Sequence, residues 1–330
     1  MPEKKLSIVD IAEMAHVSIA TVSRVLNKTG RYSSETEKKV LELVKQYGYM
    51  PNVTAKSLRT NKTQSIGVIV PDITNEFFAK IVRSIELSIL PSGYSVFVCD
   101  THENERMETT HLENLIAKNV DGVIYISGKT DATGNEVNHR IPVVYIDRHP
   151  ENAPCIIESD NEQGGFLATE ELIRKGCRRI VILQDYHWLS TLRRRLAGYV
   201  QAHEQYGLTV FPQLQPEDSP GYEKSKAMIQ KLLRDGVSFD GVFATNDIMA
   251  LGALHALMEA NIRVPDQIKL VGFDDISISA FCEIPLTTVT QNTQKIGDLC
   301  VDSLVRQMQG EKVRQENIVV PVALHVRKST

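Results

Sequence analysis

No run in this chain approaches the ~20 consecutive apolar residues that a membrane-spanning helix needs, so no bilayer-embedded segment is expected. The opening residues, MPEKKLSIVD, contain no apolar stretch of the kind a secretory leader carries, and the sequence reads as cytoplasmic. Cysteines are few, scattered and odd in number: Cys99, Cys155, Cys177, Cys282 and Cys300, with no C-x-x-C pair among them. That argues against a disulfide framework or a zinc site and predicts free thiols in a reducing compartment. Catalytic signatures are missing too. No H-E-x-x-H, G-x-S-x-G or G-x-G-x-x-G occurs, and the histidines show no metal-ligand spacing. Gly128-Lys129-Thr130 resembles the end of a phosphate-binding loop, but the first glycine of that motif falls on Val123, with Gly122 one residue out. No catalytic residue, metal or cofactor is expected, and there is no internal repeat or low-complexity tract.

What is present is ordinary in bulk and uneven in distribution. A chain of 330 residues, 42% hydrophobic and 24% charged, has enough apolar material for two or three domains. The net charge of −4 hides an asymmetry: residues 1–63 hold 11 Lys and Arg against 6 Asp and Glu (+5), and the remainder 26 against 35 (−9). A basic head on an acidic body suits a DNA-binding unit joined to one that does not touch DNA.

The head carries the most informative stretch. Ser7–Ala15 reads as a short helix with apolar Ile8, Ile11, Ala12 and Ala15. His16-Val17 is a tight link, and Ser18 caps a second helix with Val22, Val25 and Leu26 on its inner face. Two such helices form a helix-turn-helix. The second helix leaves Ile19, Ala20, Ser23 and Arg24 outward. Apolar groups there can touch thymine methyls, and an arginine can donate two hydrogen bonds to guanine. Ser34 to Glu37 reads as a capping box that starts a third helix, ended by Gly48. Val22, Leu41 and Tyr49 are expected to share the head's core. Ser7, Ser33 and Thr36 can either contact phosphates or simply cap helices.

From Ser65 onward apolar strands alternate with helical stretches. Strands are expected at 66–70, 95–99, 122–126, 143–146, 179–183, 241–244 and 269–272. Helices are expected near 76–90, 104–118, 162–175, 192–206, 222–235, 247–260 and 294–308. That alternation predicts parallel sheets with helices on both faces, whose ligands bind beyond the carboxyl ends of the strands. Those ends carry Asp72, Asn75, Phe77 and Phe78; Asp147 and Arg148; Trp188 and Arg195; Asn246 and Asp247; and Asp274. Carboxylates, amides and guanidinium groups around an aromatic wall suit a polyhydroxylated ligand.

The stretches SIVDIAEMAHVSIATVSRVLN, GYMPNVTAKSLRT and QSIGVIVPDITNEFFAKI resemble the LacI/GalR family of bacterial repressors, and the likeness spans essentially the whole chain. The fold implied is an all-α helix-turn-helix head (1–49), a hinge helix or linker (50–63), and an α/β two-lobed domain (64–330) like periplasmic binding proteins, with two doubly wound parallel sheets. Its first lobe would be 64–162 plus 291–321, and its second 163–290 plus 322–330. The function implied is a repressor of a carbohydrate operon. It would bind a pseudo-palindromic operator as a homodimer, under control of a small sugar-like effector. A purine or nucleoside effector, a phosphoprotein corepressor and a transporter's solute-binding protein are the alternatives.

By this resemblance Ser18, Ile19, Ala20, Thr21, Ser23, Arg24 and Asn27 face DNA. Asn52, Ala55 and Leu58 match the hinge, with Leu58 as a minor-groove wedge, although a flexible linker would read much the same. Arg195 stands in an Arg-x-x-Gly motif, Asn246-Asp247 in an Asn-Asp motif, and Asp274 in a Gly-aromatic-Asp-Asp motif. Asp247 either meets the ligand or caps its helix, and Asn75 has the same two options. Of Phe77 and Phe78, one is expected to face the ligand and one the core. Ile81, Ile85 and Ile89 either help the dimer or fill the core. His16 departs from the family, which commonly has glycine in that turn.

Overall fold

The computed structural model describes residues 6–50, 62–126, 141–150, 153–184, 190–211, 221–311 and 316–330, and divides into two compact units, Met1–Thr63 and Gln64–Thr330. In the first unit, α1 (Ile8–Ala15), α2 (Ile19–Asn27) and α3 (Ser34–Gln46) each begin on a serine. Ser7 accepts from the Asp10 N–H at 3.3 Å while the Asp10 carboxylate accepts from the Ser7 N–H at 2.6 Å, a reciprocal capping box. Ser18 and Ser33 cap by accepting from the N–H of Thr21 (3.1 Å) and Thr36 (3.2 Å). The third cap therefore differs from the expected Ser34–Glu37 box. Ser33 is the last extended residue (φ −79°, ψ 153°), which places Glu37 one position too far along α3 to reach back. Ile11, Ala12, Ala15, Val22, Val25 and Val40 form the core, with Tyr49 packed on it. Leu41 does not join them. It lies one residue round the helix from Val40 and is 45% exposed. His16 closes α1 in the left-handed region (φ 57°), a conformation that costs a non-glycine residue about 1 kcal/mol. Asn52, Ala55 and Leu58 lie outside the described residues.

The second unit holds two sheets. One is six-stranded, in the order β10-β5-β4-β3-β1-β2: β1 (Ser65–Val70), β2 (Ser95–Asp100), β3 (Gly122–Tyr125), β4 (Val143–Ile146), β5 (Cys155–Ser159) and β10 (Glu316–Val320). Every pairing in it is parallel. The other is five-stranded, in the order β11-β9-β8-β7-β6: β6 (Ile180–Leu183), β7 (Gly241–Ala244), β8 (Lys269–Phe273), β9 (Thr287–Gln291) and β11 (Val322–His325). Here β11 runs antiparallel to β9, so the second sheet is not wholly parallel. The flanking helices are α4 (Glu76–Ile89), α5 (Glu105–Ala117), α6 (Asn161–Arg174), α7 (Ser190–Gln205), α8 (Tyr222–Arg234), α9 (Asp247–Glu259), α10 (Ile278–Phe281) and α11 (Thr293–Met308).

The chain leaves the first sheet after β5, returns after β9 through α11, and crosses once more between β10 and β11. Ile81, Ile85 and Ile89 are fully buried in the first lobe's core with Ile66, Val68 and Ile124, so they fill that core and offer no surface to a second copy. No helix among the described residues is long and apolar enough to cross a membrane, and all five cysteines are free.

Candidate functional site

A cavity of about 330 Å³ opens where the carboxyl ends of both sheets converge. Its wall includes Asp72, Asn75, Phe77, Phe78, Asp147, Arg148, Arg195, Asn246 and Asp274, which is every residue expected there from strand-end positions except Asp247 and Trp188. Trp188 and Gly128-Lys129-Thr130 lie outside the described residues. Thr74, Glu103, Ile126, Thr191, Leu192, Gly221, Thr245 and Ile248 complete the wall.

Arg195 is the centre of the site. It is buried on α7. Its Nε donates to Asn161 Oδ1 at 2.8 Å and its Nη1 to the Thr245 carbonyl at 2.5 Å. The guanidinium carbon sits 3.6 Å from the Phe273 ring centroid, and Nη1 is 3.8 Å from Asp274 Oδ1. Glycines bring the arginine to this place. A Cβ on Gly198 would stand 1.9 Å from the Glu162 carbonyl oxygen, and one on Gly165 2.1 Å from the Arg195 carbonyl oxygen. Without side chains at these positions, α6 and α7 approach backbone to backbone, carrying Arg195 to the start of α6.

Asp274 sits in the left-handed region (φ 104°) at the end of β8 and accepts from Gln291 Nε2 at 2.7 Å. Burial raises its carboxyl to about 7, against the opposing pull of Arg195. A carboxyl raised in the fold contributes stability below its unfolded value near 4 and loses it as the pH climbs through the folded value. Asp274→Asn should therefore gain thermal stability on the wild type between about pH 4 and about pH 8, by roughly 4 kcal/mol at most. Calorimetry across that range checks this, and a constant difference would refute it. Asp147 (φ 54°) is also buried and raised by burial; its Oδ1 accepts from the Ser159 N–H at 2.8 Å. Arg148 pairs with Glu103 at 2.8 Å and lies 5.5 Å from the centroid of Phe78.

In the head, α2 turns Ile19 (47% exposed), Ala20 and Arg24 to solvent, with Thr21 and Ser23 half-buried. Asn27 Nδ2 donates to the Ser23 carbonyl at 2.7 Å, within its own helix. The cap hydroxyls of Ser7, Ser18 and Ser33 are exposed at helix amino termini, where backbone N–H groups and the helix dipole favour anions.

Residues 7–52 match the family of bacterial regulatory proteins, lacI family, and residues 169–330 match a periplasmic binding protein-like domain. The HTH-type transcriptional repressor PurR of Pasteurella multocida is 36% identical over 335 residues, covering 98% of each chain. The chain belongs to the LacI family. Among solved structures, the lac repressor dimer bound to operator and the anti-inducer ONPF matches with a TM-score of 0.90 and 29% identity over 99% of both chains. The complex of the transcriptional regulator CelR with cellobiose matches at 0.74 and 27%, covering 98% of this chain and all of that one.

This LacI-family chain is thus a DNA-binding transcriptional repressor with a helix-turn-helix head and a two-sheet effector-type domain. Three assignments at its cavity differ from the sequence reading. Phe77 and Phe78 do not divide between ligand and core: packed edge to face at 5.4 Å, both line the cavity and both belong to the first lobe's core. Asn75 and Asn246 are the helix caps, accepting from the N–H of Phe77 and Met249, while their amides still line the cavity. Asp247 neither caps nor lines. Fully buried, it accepts from the Ile276 N–H (3.0 Å), Ser279 (2.8 Å) and Thr288 (2.6 Å), and burial raises it to about 6. Glu103 and Asn161 escaped sequence reading because neither follows an apolar strand in a recognisable motif. The one signal for Asn161 was its place beside the first crossover.

Proposed function

We propose that this repressor binds a pseudo-palindromic operator as a homodimer, and that a small neutral sugar or sugar derivative between the lobes controls it. The observation that carries the effector class is the unspent hydrogen-bonding capacity of the cavity wall. Asn75 and Asn246 use their side-chain oxygens as caps, and neither NH2 group has a protein partner among the described residues. Asp72 engages only Oδ1, with Thr74, and the buried Thr245 hydroxyl has no protein partner among the described residues. Donors and acceptors interleaved around two phenyl rings match the hydroxyls and the C–H face of a sugar.

A purine base or nucleoside is the second reading. The relative named PurR favours it, and on names alone it would come first. Phe77, Phe78, Leu192 and Ile248 supply apolar surface for a ring as well. In the head, α2 would enter the major groove with Ser18, Ile19, Ala20, Thr21, Ser23, Arg24 and Asn27. Ser7, Ser33 and Thr36 would hold phosphates, and residues 50–63, through Asn52, Ala55 and Leu58, would pack in the minor groove.

An operator duplex selected from a random-sequence library, followed by fluorescence anisotropy, tests both halves. Arg24→Ala should weaken operator binding by roughly 10- to 100-fold and relax the preference at one base pair. The binding curve is then repeated with D-ribose, D-xylose, D-glucose, cellobiose, hypoxanthine and adenosine. A shift produced by a sugar alone supports the main reading, and one produced by a purine compound alone replaces it with the second. No shift with any compound would remove the small-molecule reading in favour of a protein corepressor.

A further inference from the structure

We propose that Asn161 is the positioning residue that ties Arg195, in the second lobe, to Asp147, in the first, so that the grip on the effector depends on how the lobes are set. The inference rests on the effector reading of the cavity. Asn161 is fully buried and lies behind the cavity wall, so it acts through its neighbours and not on the ligand. It opens the first helix after the chain leaves the first sheet: β5 ends at Ser159, Asp160 caps α6, and α6 packs on the second sheet.

Both ends of its amide are dictated by their partners. Arginine can only donate, so the atom facing Arg195 Nε at 2.8 Å is Oδ1. The NH2 end then donates to the Ser159 carbonyl at 3.0 Å and to Asp147 Oδ1 at 3.4 Å. One side chain therefore bridges two charged groups of the cavity wall that belong to opposite lobes. Nη1 of Arg195 is anchored within the second lobe on Thr245, which leaves Nη2 without a protein acceptor among the described residues. The backbone contact at Gly165 and Gly198 makes α6 and α7 move as one body, so a shift of α6 against Asp147 carries Arg195 with it. By reciprocity, a ligand that fixes Arg195 biases the crossover.

Two full-length variants test this with the six compounds above, by calorimetric titration and by operator anisotropy with and without compound. Asn161→Ala should weaken binding of the active compound by about tenfold or more and reduce the operator shift to less than about twofold. Asn161→Asp conserves volume and the acceptor for Arg195 but turns the bond to Asp147 into a repulsion. It should keep compound binding to within about fivefold and still lose the operator shift. That split between binding and response is not expected of a residue needed only for packing, and if Asn161→Ala fails to fold, Asn161→Asp alone decides. A wild-type operator shift in Asn161→Asp would overturn the proposal. A panel silent on the wild-type protein would overturn the effector reading, and this inference with it.

Discussion

Replacing Arg195 by alanine should abolish the response to the effector while leaving a protein that still binds operator. The guanidinium is, among the described residues, the one cation buried in the cavity wall, and it serves Asn161, Thr245 and the Phe273 ring at once. Its loss leaves Asp274 and Asp147 buried without their nearest positive charge. Both acids are already raised by burial, and they answer by taking up protons. Removing one partner of a buried pair typically costs about 3–5 kcal/mol, so the effector domain should melt earlier, most clearly at high pH where the acids resist protonation. On the proposed effector reading, effector affinity should fall by roughly 100-fold or more, because the cavity wall loses a buried charged donor. Arg195→Lys separates the two causes. It keeps the charge but not the planar fork, so stability should largely recover while effector binding stays at least about tenfold weaker. Isothermal titration with the active compound, alongside thermal melts at two pH values, reads both quantities. Full effector affinity in Arg195→Lys would show that charge alone suffices.

Gly198→Ala should lower stability by an amount comparable with the loss of Arg195. An added Cβ would lie 1.9 Å from the Glu162 carbonyl oxygen and 2.5 Å from the Phe166 backbone nitrogen. Backbone atoms of a packed helix cannot turn aside as a flexible side chain can, so α7 must lift from α6. Overpacking of this kind costs about 3 kcal/mol, which for a unit of this length lowers Tm by roughly 6–12 °C. Arg195 lies one turn from Gly198 on the same helix and would be carried away from Asn161, so effector affinity should fall in parallel. Gly176→Ala is the control: its φ of 95° strains any side chain, yet nothing lies within 4 Å. It should cost only about 1 kcal/mol and leave effector binding unchanged. Equal losses from the two variants would show that the α6–α7 approach is not what positions Arg195.

Local pattern was enough for a large part of this protein. Serine caps, a 3.6-residue apolar period and a tight turn specify the helix-turn-helix without help from distant residues. The alternation of apolar strands and amphipathic helices likewise specifies the α/β class. Strand ends pointed to the cavity because in such folds the carboxyl ends of the strands converge whatever the loops contain. What sequence missed follows one physical rule. The strands β5, β9, β10 and β11 carry residues such as Thr287, Thr288, Asn317 and Glu158 that interrupt an apolar run, and their burial or pairing comes from neighbours far along the chain. Asp247 and Asp274 look alike as acids after a strand. Ser279 and Thr288 claim the first as a structural acceptor, while Gln291 and Arg195 hold the second at the cavity. Sequence by itself determined the helix-turn-helix head, the sheet class and the ends at which a ligand would be met. Only the tertiary structure decided which polar groups brace the site and which remain to meet a ligand. For Arg195 and Asp247 that outcome depends on partners such as Asn161 and Thr288, which lie tens of residues away along the chain.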